Sequence, residues 1–189
     1  MQGGNIAGGN PARGRVENDY YATPDEATLA LLAVDEIIYP ALEPACGEGH
    51  ISKLLGWNTF SFDLVDRGFG NVRSWDFLDN NTLFHSTEYN TVITNPPFNL
   101  FQEFVEKALK VSNKKVIMFG KLQALEGNKR ATFLQTTPLK TVYVFKKRIN
   151  PMRNGKDCDE NGKKWCSTMA FAWYVWEKGY TGKPQIEWI

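Results

Sequence analysis

The tetrapeptide Asn95-Pro96-Pro97-Phe98 follows directly on the apolar run YNTVIT. Two successive prolines lack main-chain donors and stiffen the chain, so the adjoining carbonyls are not consumed by regular secondary structure. The Asn95 side-chain oxygen and the Pro96 carbonyl can together accept both hydrogens of one amine, and Phe98 offers a flat ring to a planar base. Such an arrangement has a use. The lone pair of an aromatic amine is delocalised into its ring, and two acceptors bias the nitrogen toward a tetrahedral, nucleophilic form. The competing reading is a strand-to-helix turn with an N-capping asparagine.

A second constellation is Glu43-Pro44-Ala45-Cys46-Gly47-Glu48-Gly49, where an apolar strand hands over to a helix. Gly47 and Gly49 allow the main chain to approach a ligand closely, and the amides of the following helix attract an anion. The run is shorter than a dinucleotide fingerprint and lacks the Gly-Lys-Ser/Thr of a phosphate loop. Acidic residues recur near the ends of the next two strands, at Asp63 and Asp76. The first suits a ribose diol; the second suits an adenine amine beside the apolar Phe77. Either aspartate alone reads equally as a turn residue or helix cap.

The elements that must position these groups alternate. A helix is expected from Pro24 with Thr23 as its N-cap, then a strand in IIYPALEP, a short helix in HISKLLG and a strand in NTFSFDL. YNTVIT, the amphipathic run LFQEFVEKALKVS and KKVIMFG form a second unit. A helix over about 127–135, LKTVYVFKK, the aromatic strand TMAFAWYVWEKG and IEWI complete the chain. Alternation predicts an α/β, Rossmann-like fold with a mostly parallel sheet, and two late strands without a helix between them predict an antiparallel C-terminal pair at its edge.

Residues 140–166 hold eight Lys/Arg against three Asp/Glu, although the whole chain carries a formal charge of only +1. Within this segment Arg148, Arg153, Lys156, Lys163 and Lys164 suit phosphates and Trp165 suits a base, the alternative being a solvated basic loop. Cys46, Cys158 and Cys166 are read as reduced thiols and no metal is expected. His50 and His85 have no apparent catalytic partner. Phe171, Trp173, Tyr174 and Trp176 are expected to pack both faces of a sheet. No apolar run is long enough for a membrane span, no secretory signal is apparent, and a cytoplasmic protein is expected.

These motifs resemble the N6-adenine DNA methyltransferases that use S-adenosylmethionine (AdoMet), particularly short stand-alone forms carried by bacteriophages. The resemblance spans about residues 18–189: an opening motif at Asp19-Tyr20-Tyr21-Ala22-Thr23-Pro24, the Glu43–Gly49 turn, the tetrapeptide and the closing FAWYVWEKGY. It implies an AdoMet-dependent methyltransferase fold, with Tyr21 and Thr23 lining the cofactor site. Glu43, Pro44, Ala45, Gly47 and Gly49 would hold the methionine part, Asp63, Asp76 and Phe77 the adenosine, and Asn95, Pro96, Pro97 and Phe98 the target base. The family often has Asp at position 43 and Tyr at position 98.

The resemblance further implies methylation of adenine N6 in DNA, with RNA as the alternative substrate and a non-catalytic nucleic-acid-binding protein as the more distant one. Residues 1–17 are expected to be a flexible arm and 18–189 one methyltransferase domain. Only 18 residues separate Asp76 from Asn95, so no separate target-recognition domain is expected. Recognition then falls to short loops, the basic one the largest, or to a partner subunit, or is loose; a homodimer is also open, and the purpose is protection from restriction or regulation.

Overall fold

A computed structural model of the chain describes residues 20–79, 88–153, 155–158, 161–164 and 168–189. The arm over 1–17, Asp19, His85, Trp165 and Cys166 lie outside the described residues. In chain order the elements are β1 (Tyr21–Ala22), α1 (Asp25–Leu32), β2 (Ala41–Glu43), α2 (Ser52–Leu55), β3 (Thr59–Asp63), β4 (Val72–Arg73) and β5 (Tyr89–Thr94). They continue with α3 (Phe101–Val111), β6 (Ser112–Lys121), α4 (Asn128–Gln135), β7 (Leu139–Val144), β8 (Met152–Arg153), β9 (Phe171–Glu177) and β10 (Gln185–Trp188).

Eight strands form one sheet in the order β10-β7-β9-β6-β5-β2-β3-β4. All pairings are parallel except those of β9, which runs antiparallel to both β6 and β7. The expected antiparallel strand is therefore present but interior. The edge belongs to β10, which pairs in parallel with β7 and is exposed along its length.

Strand alternation splits the core in two. Val116, Met118, Tyr174 and Trp176 face α3, which buries Phe101, Phe104, Val105, Ala108 and Val111 at helical spacing. Ile117, Phe119, Trp173 and Val175 face the other way, toward Ala27 and Leu31 of α1 and Ile51 and Leu55 around α2. Trp173, Tyr174 and Trp176 are fully buried. The aromatic run is thus packing for both faces, and it fixes the sheet whose carboxyl edge carries the motifs. At the opposite edge Lys115 Nζ binds Asp35 Oδ1 at 2.6 Å and the Glu36 carbonyl at 2.9 Å.

The first helix starts one step later than expected. Pro24 occupies the N-cap position without a side-chain cap, and Thr23 is buried instead of capping. No helix among the described residues is long and apolar enough to cross a membrane.

Candidate active site

A cleft of about 800 Å³, open mouth included, lies at the carboxyl edge of the sheet. Tyr21, Thr23, Glu43, Pro44, Ala45, Asp63, Asp76, Phe77, Asn95 and Pro97 all line it. Five stretches widely separated in sequence therefore meet around one ligand-sized space, at the edge where ligands of doubly wound sheets bind.

Asp63 ends β3 and ties the floor together. Its Oδ2 accepts the Gly47 amide at 2.7 Å, and its Oδ1 accepts the Val65 amide at 2.8 Å and Arg67 Nη1 at 3.2 Å. Arg67 also lies over the Tyr20 ring, 4.0 Å from its centroid. Tyr20 and Arg67 also line the cleft; Tyr20 lies in the opening motif without a role read for it, and Arg67 carries no motif beyond its position four residues after Asp63.

The glycine turn differs from the expectation of an exposed amide cradle. The amides of Gly47, Glu48, Gly49 and Ser52 already meet Asp63, the Tyr20 hydroxyl, the Cys46 carbonyl and Glu43. The φ angles of Gly47 and Gly49 are +55° and +82°, and a Cβ on either would strike the ring of Tyr20 or Phe69. Neither glycine lines the cleft. Their freedom serves the turn and its aromatic covers. His50, expected away from the chemistry, lines the cleft with Nε2 3.4 Å from Glu48 Oε2.

Glu43 is buried and reaches under the turn, where its Oε2 accepts both the amide and the hydroxyl of Ser52; that hydroxyl lies 2.6 Å from Ser61 Oγ. Burial pushes its carboxyl up to about 8, against the pull of the Ser52 bonds. The Cys46 thiol is likewise pushed up to about 12 by burial, as befits an inert reduced thiol. Cys158 is also a free thiol.

Asn95 follows β5. Its Nδ2 donates to the Tyr21 carbonyl at 2.6 Å, which fixes the amide orientation and leaves Oδ1 as the acceptor end of a side chain that lines the cleft. The Pro97 carbonyl is taken by the Leu100 amide at 2.9 Å, whereas that of Pro96 accepts no hydrogen bond among the described residues. Phe98 departs from the sequence expectation. It is buried, outside the cleft lining, against Tyr21 (5.7 Å between centroids), Phe171 (5.6 Å) and Lys121 Nζ (4.6 Å from the centroid). Pro96 is also outside the lining. A base reaches the Phe98 ring only by displacing a neighbour.

Part of the basic segment meets the elements of this site at β1 and the glycine turn. β8 pairs antiparallel with β1, with Arg153 opposite Tyr21, and Gly155 rests on the Glu48 carboxylate. Arg148 is exposed with Nη1 3.4 Å from the Thr168 carbonyl, and Lys163 and Lys164 are exposed.

The sequence profile of the family adenine-specific methyltransferase EcoRI matches residues 63–178, more than half of the chain, from Asp63 through β9. The chain belongs to this family. No curated protein sequence matches it.

Among solved structures, a class I AdoMet-dependent methyltransferase from Listeria monocytogenes is 12% identical, with TM-score 0.64 over 95% of this chain and 68% of that one. The M protein of the type I restriction enzyme EcoKI is 15% identical, with TM-score 0.56 over 85% of this chain and 44% of that one. A protein named as an RNA methyltransferase, from Pyrococcus horikoshii, is 15% identical, with TM-score 0.58 over 85% and 88%. These likenesses establish the class I methyltransferase fold, and the chain spans less than half of the type I subunit.

The adenine-specific methyltransferase EcoRI family and this fold imply AdoMet as cofactor, and the residues present fit it. Thr23 Oγ1, facing the cleft, is buried without a hydrogen-bond partner, as a ligand-contacting hydroxyl would be. The carboxylates of Asp63 and Asp76 and the carboxyl group of Glu43, beside apolar Ile51, Leu64 and Phe77, suit a molecule that joins polar groups, a diol and an adenine.

Glu43 also gives a pH-dependent stability. A carboxyl raised from its ordinary value to about 8 is neutral in the folded protein while already ionised in the unfolded chain. Its stabilising contribution is thus complete below the unfolded value and lost as pH rises through about 8. Across that window the stability of the cofactor-free protein is expected to fall by about 1.4 kcal/mol per pH unit from this group. Glu43→Gln should flatten the slope in urea denaturation between pH 6 and 8; an unchanged slope would exclude a buried, neutral Glu43.

Proposed function

We propose that this chain transfers the methyl group of AdoMet to the N6 amine of adenine in DNA. The observation that carries the reading is the orientation of Asn95, which lines the cleft: its Nδ2 donates to the Tyr21 carbonyl, so that Oδ1 is the end of the amide left to accept from an amine. Bound AdoMet would supply an electrophilic sulfonium methyl group. Thr23, Glu43, Asp63, Asp76 and Phe77 would hold it, and Tyr21 would serve chiefly through its main chain. Asn95 Oδ1 and the Pro96 carbonyl would accept the two amine hydrogens and aim the nitrogen lone pair at the methyl carbon. Neutral acceptors suffice, because the electrophile is already activated and in-line placement supplies much of the remaining acceleration.

DNA is favoured by the family match and by the type I methyltransferase subunits among the fold neighbours. RNA is the second reading, motivated by the Pyrococcus horikoshii neighbour that matches over most of both chains. Incubation with methyl-labelled AdoMet and DNA, RNA or protein in parallel, followed by nucleoside analysis, decides between them. N6-methyladenine appearing in DNA is the expected product; label confined to RNA or protein would sink the proposal.

Engagement of DNA would rest on the basic loop together with a partner subunit or a second copy of the chain. Its Met152–Arg153 strand pairs with β1, whose Tyr21 and Ala22 line the cleft, and phosphate anchors nearby would serve a base taken out of its stack. Replacing Lys163 and Lys164 together with Ala should weaken DNA binding for all sequences and flatten its salt dependence by about two phosphate contacts, with AdoMet affinity unchanged. If affinity and salt slope stay as in wild type, the loop is only a solvated connection.

A further inference from the structure

We propose that a groove where β6 and β7 end binds the nucleotide next to the target adenine, with Arg148 on its phosphate and Glu126 selecting a base that carries an exocyclic amine. The inference rests on the adenine-methylating reading above and deepens it, because nothing in the catalytic tetrapeptide reads a neighbouring base. The groove is open, with a volume of about 1010 Å³, its mouth included. Leu122, Leu125 and Met169 give it an apolar surface, and Gln123, Glu126 and Arg148 give it polar edges.

Its place in the fold suits a substrate strand. Leu122 directly follows β6, Arg148 follows β7, and Met169 precedes the antiparallel β9, so the groove shares the carboxyl edge of the sheet with the AdoMet cleft. In the strand order the cleft belongs to β3, β2 and β5 and the groove to β6, β9 and β7. The tetrapeptide stands between them. Lys121 and Phe171, which pack on Phe98, are the chain neighbours of Leu122 and Ala170, and the Leu122 amide donates to the Ala170 carbonyl at 2.8 Å. With adjacent strands roughly 4.8 Å apart, the groove begins about one strand width beyond the end of β5. A DNA strand that brings its adenine to Asn95 must leave the cleft to AdoMet, and the groove then lies within reach of its next nucleotide.

The charges sort the contacts. Lys146, Lys147 and Arg148 are consecutive and exposed, and this run of cations suits phosphates. Glu126, exposed and acidic, would repel a phosphate, so its use is at a base edge. An ionised carboxylate only accepts hydrogen bonds. It can take one from the amine of adenine or cytosine, whereas guanine and thymine carry a carbonyl oxygen at that position and would set acceptor against acceptor. Gln123, whose carbonyl accepts the Glu126 amide at 3.1 Å, carries a side chain that both donates and accepts, so it supports either kind of base.

The test uses the full-length protein and DNA oligonucleotides in which the two neighbours of one target adenine are varied among the four bases, with methylation mapped to that adenine. At one of these positions wild type is expected to favour adenine or cytosine over guanine or thymine by about 5- to 10-fold in kcat/KM, the low end for a base contact because the groove is open. Glu126→Gln, of the same shape but able to donate, should reduce that preference to about twofold or less, with AdoMet affinity unchanged. Arg148→Ala should weaken binding of every sequence alike and lower the salt slope by about one phosphate contact. Wild-type rates indifferent to both neighbours overturn the inference, as does a preference that survives Glu126→Gln or a salt slope unchanged in Arg148→Ala. Oligonucleotide affinity measured alongside keeps the two readings apart. An amine preference in binding that Glu126→Gln removes, with no N6-methyladenine formed by wild type, would overturn the functional reading and uphold the groove.

Discussion

Asn95→Ala is expected to lower the rate of methyl transfer by about 10²–10³, the usual cost of deleting one acceptor or donor aimed at a reacting centre, while AdoMet affinity stays within a few-fold. The expectation follows from the two ends of the side chain doing different work. Nδ2 is held by the Tyr21 carbonyl, so the amide cannot flip, and Oδ1 is left for the substrate. Asn95→Asp separates the two jobs. The carboxylate keeps its acceptors but cannot donate to Tyr21, and two oxygens would face each other at the distance now bridged by 2.6 Å. Its rate should therefore also fall, by less than that of the alanine variant. Single-turnover measurements at saturating AdoMet read the chemical step directly, and near-wild-type turnover by Asn95→Ala would remove the tetrapeptide from the chemistry.

The sequence was legible where one residue type answers one physical demand. Two adjacent prolines after an apolar strand drew attention to Asn95, which lines the cleft, and the helix over Phe101–Val111 was visible in its spacing because every third or fourth residue must enter the core. The interior place of β9 was not legible, since the long connection from β7, which ends at Val144, to β9, which starts at Phe171, leaves its neighbours open. The motif carriers Glu43, Asp63 and Asn95 were placed together at the cleft, but their partners lie far off in sequence. Tyr21 is 74 positions from Asn95, and that bond is made by a main-chain carbonyl, which leaves no mark on residue type. The same holds for the glycine turn. Gly47 and Gly49 suggested a ligand cradle, whereas Tyr20 and Phe69 fill the space their missing side chains leave.

Asp63→Asn is expected to weaken AdoMet binding by roughly 10²-fold or more and to destabilise the fold, an outcome out of proportion to the loss of one charge. A carboxylate whose only task was to accept from a ribose diol would tolerate amidation better, because the amide retains one acceptor oxygen. Here both oxygens are already committed within the protein: Oδ2 to the Gly47 amide, Oδ1 to the Val65 amide and to Arg67. Whichever way an asparagine amide is turned, its NH₂ group must confront a main-chain N–H at hydrogen-bond distance. Each charge-assisted bond of this kind contributes about 1.5–3 kcal/mol, and a donor facing a donor adds the cost of an unmet buried group. The Glu43–Gly49 turn would then lose its tie to β3, and Arg67 would lose its carboxylate while still lying over Tyr20. Cofactor affinity and folding stability should therefore fall together, read by calorimetry with AdoMet and by urea denaturation without it. If stability holds while affinity drops, Asp63 acts on the ligand alone; if affinity holds in Asp63→Asn, the cleft at this carboxyl edge is not where the cofactor binds.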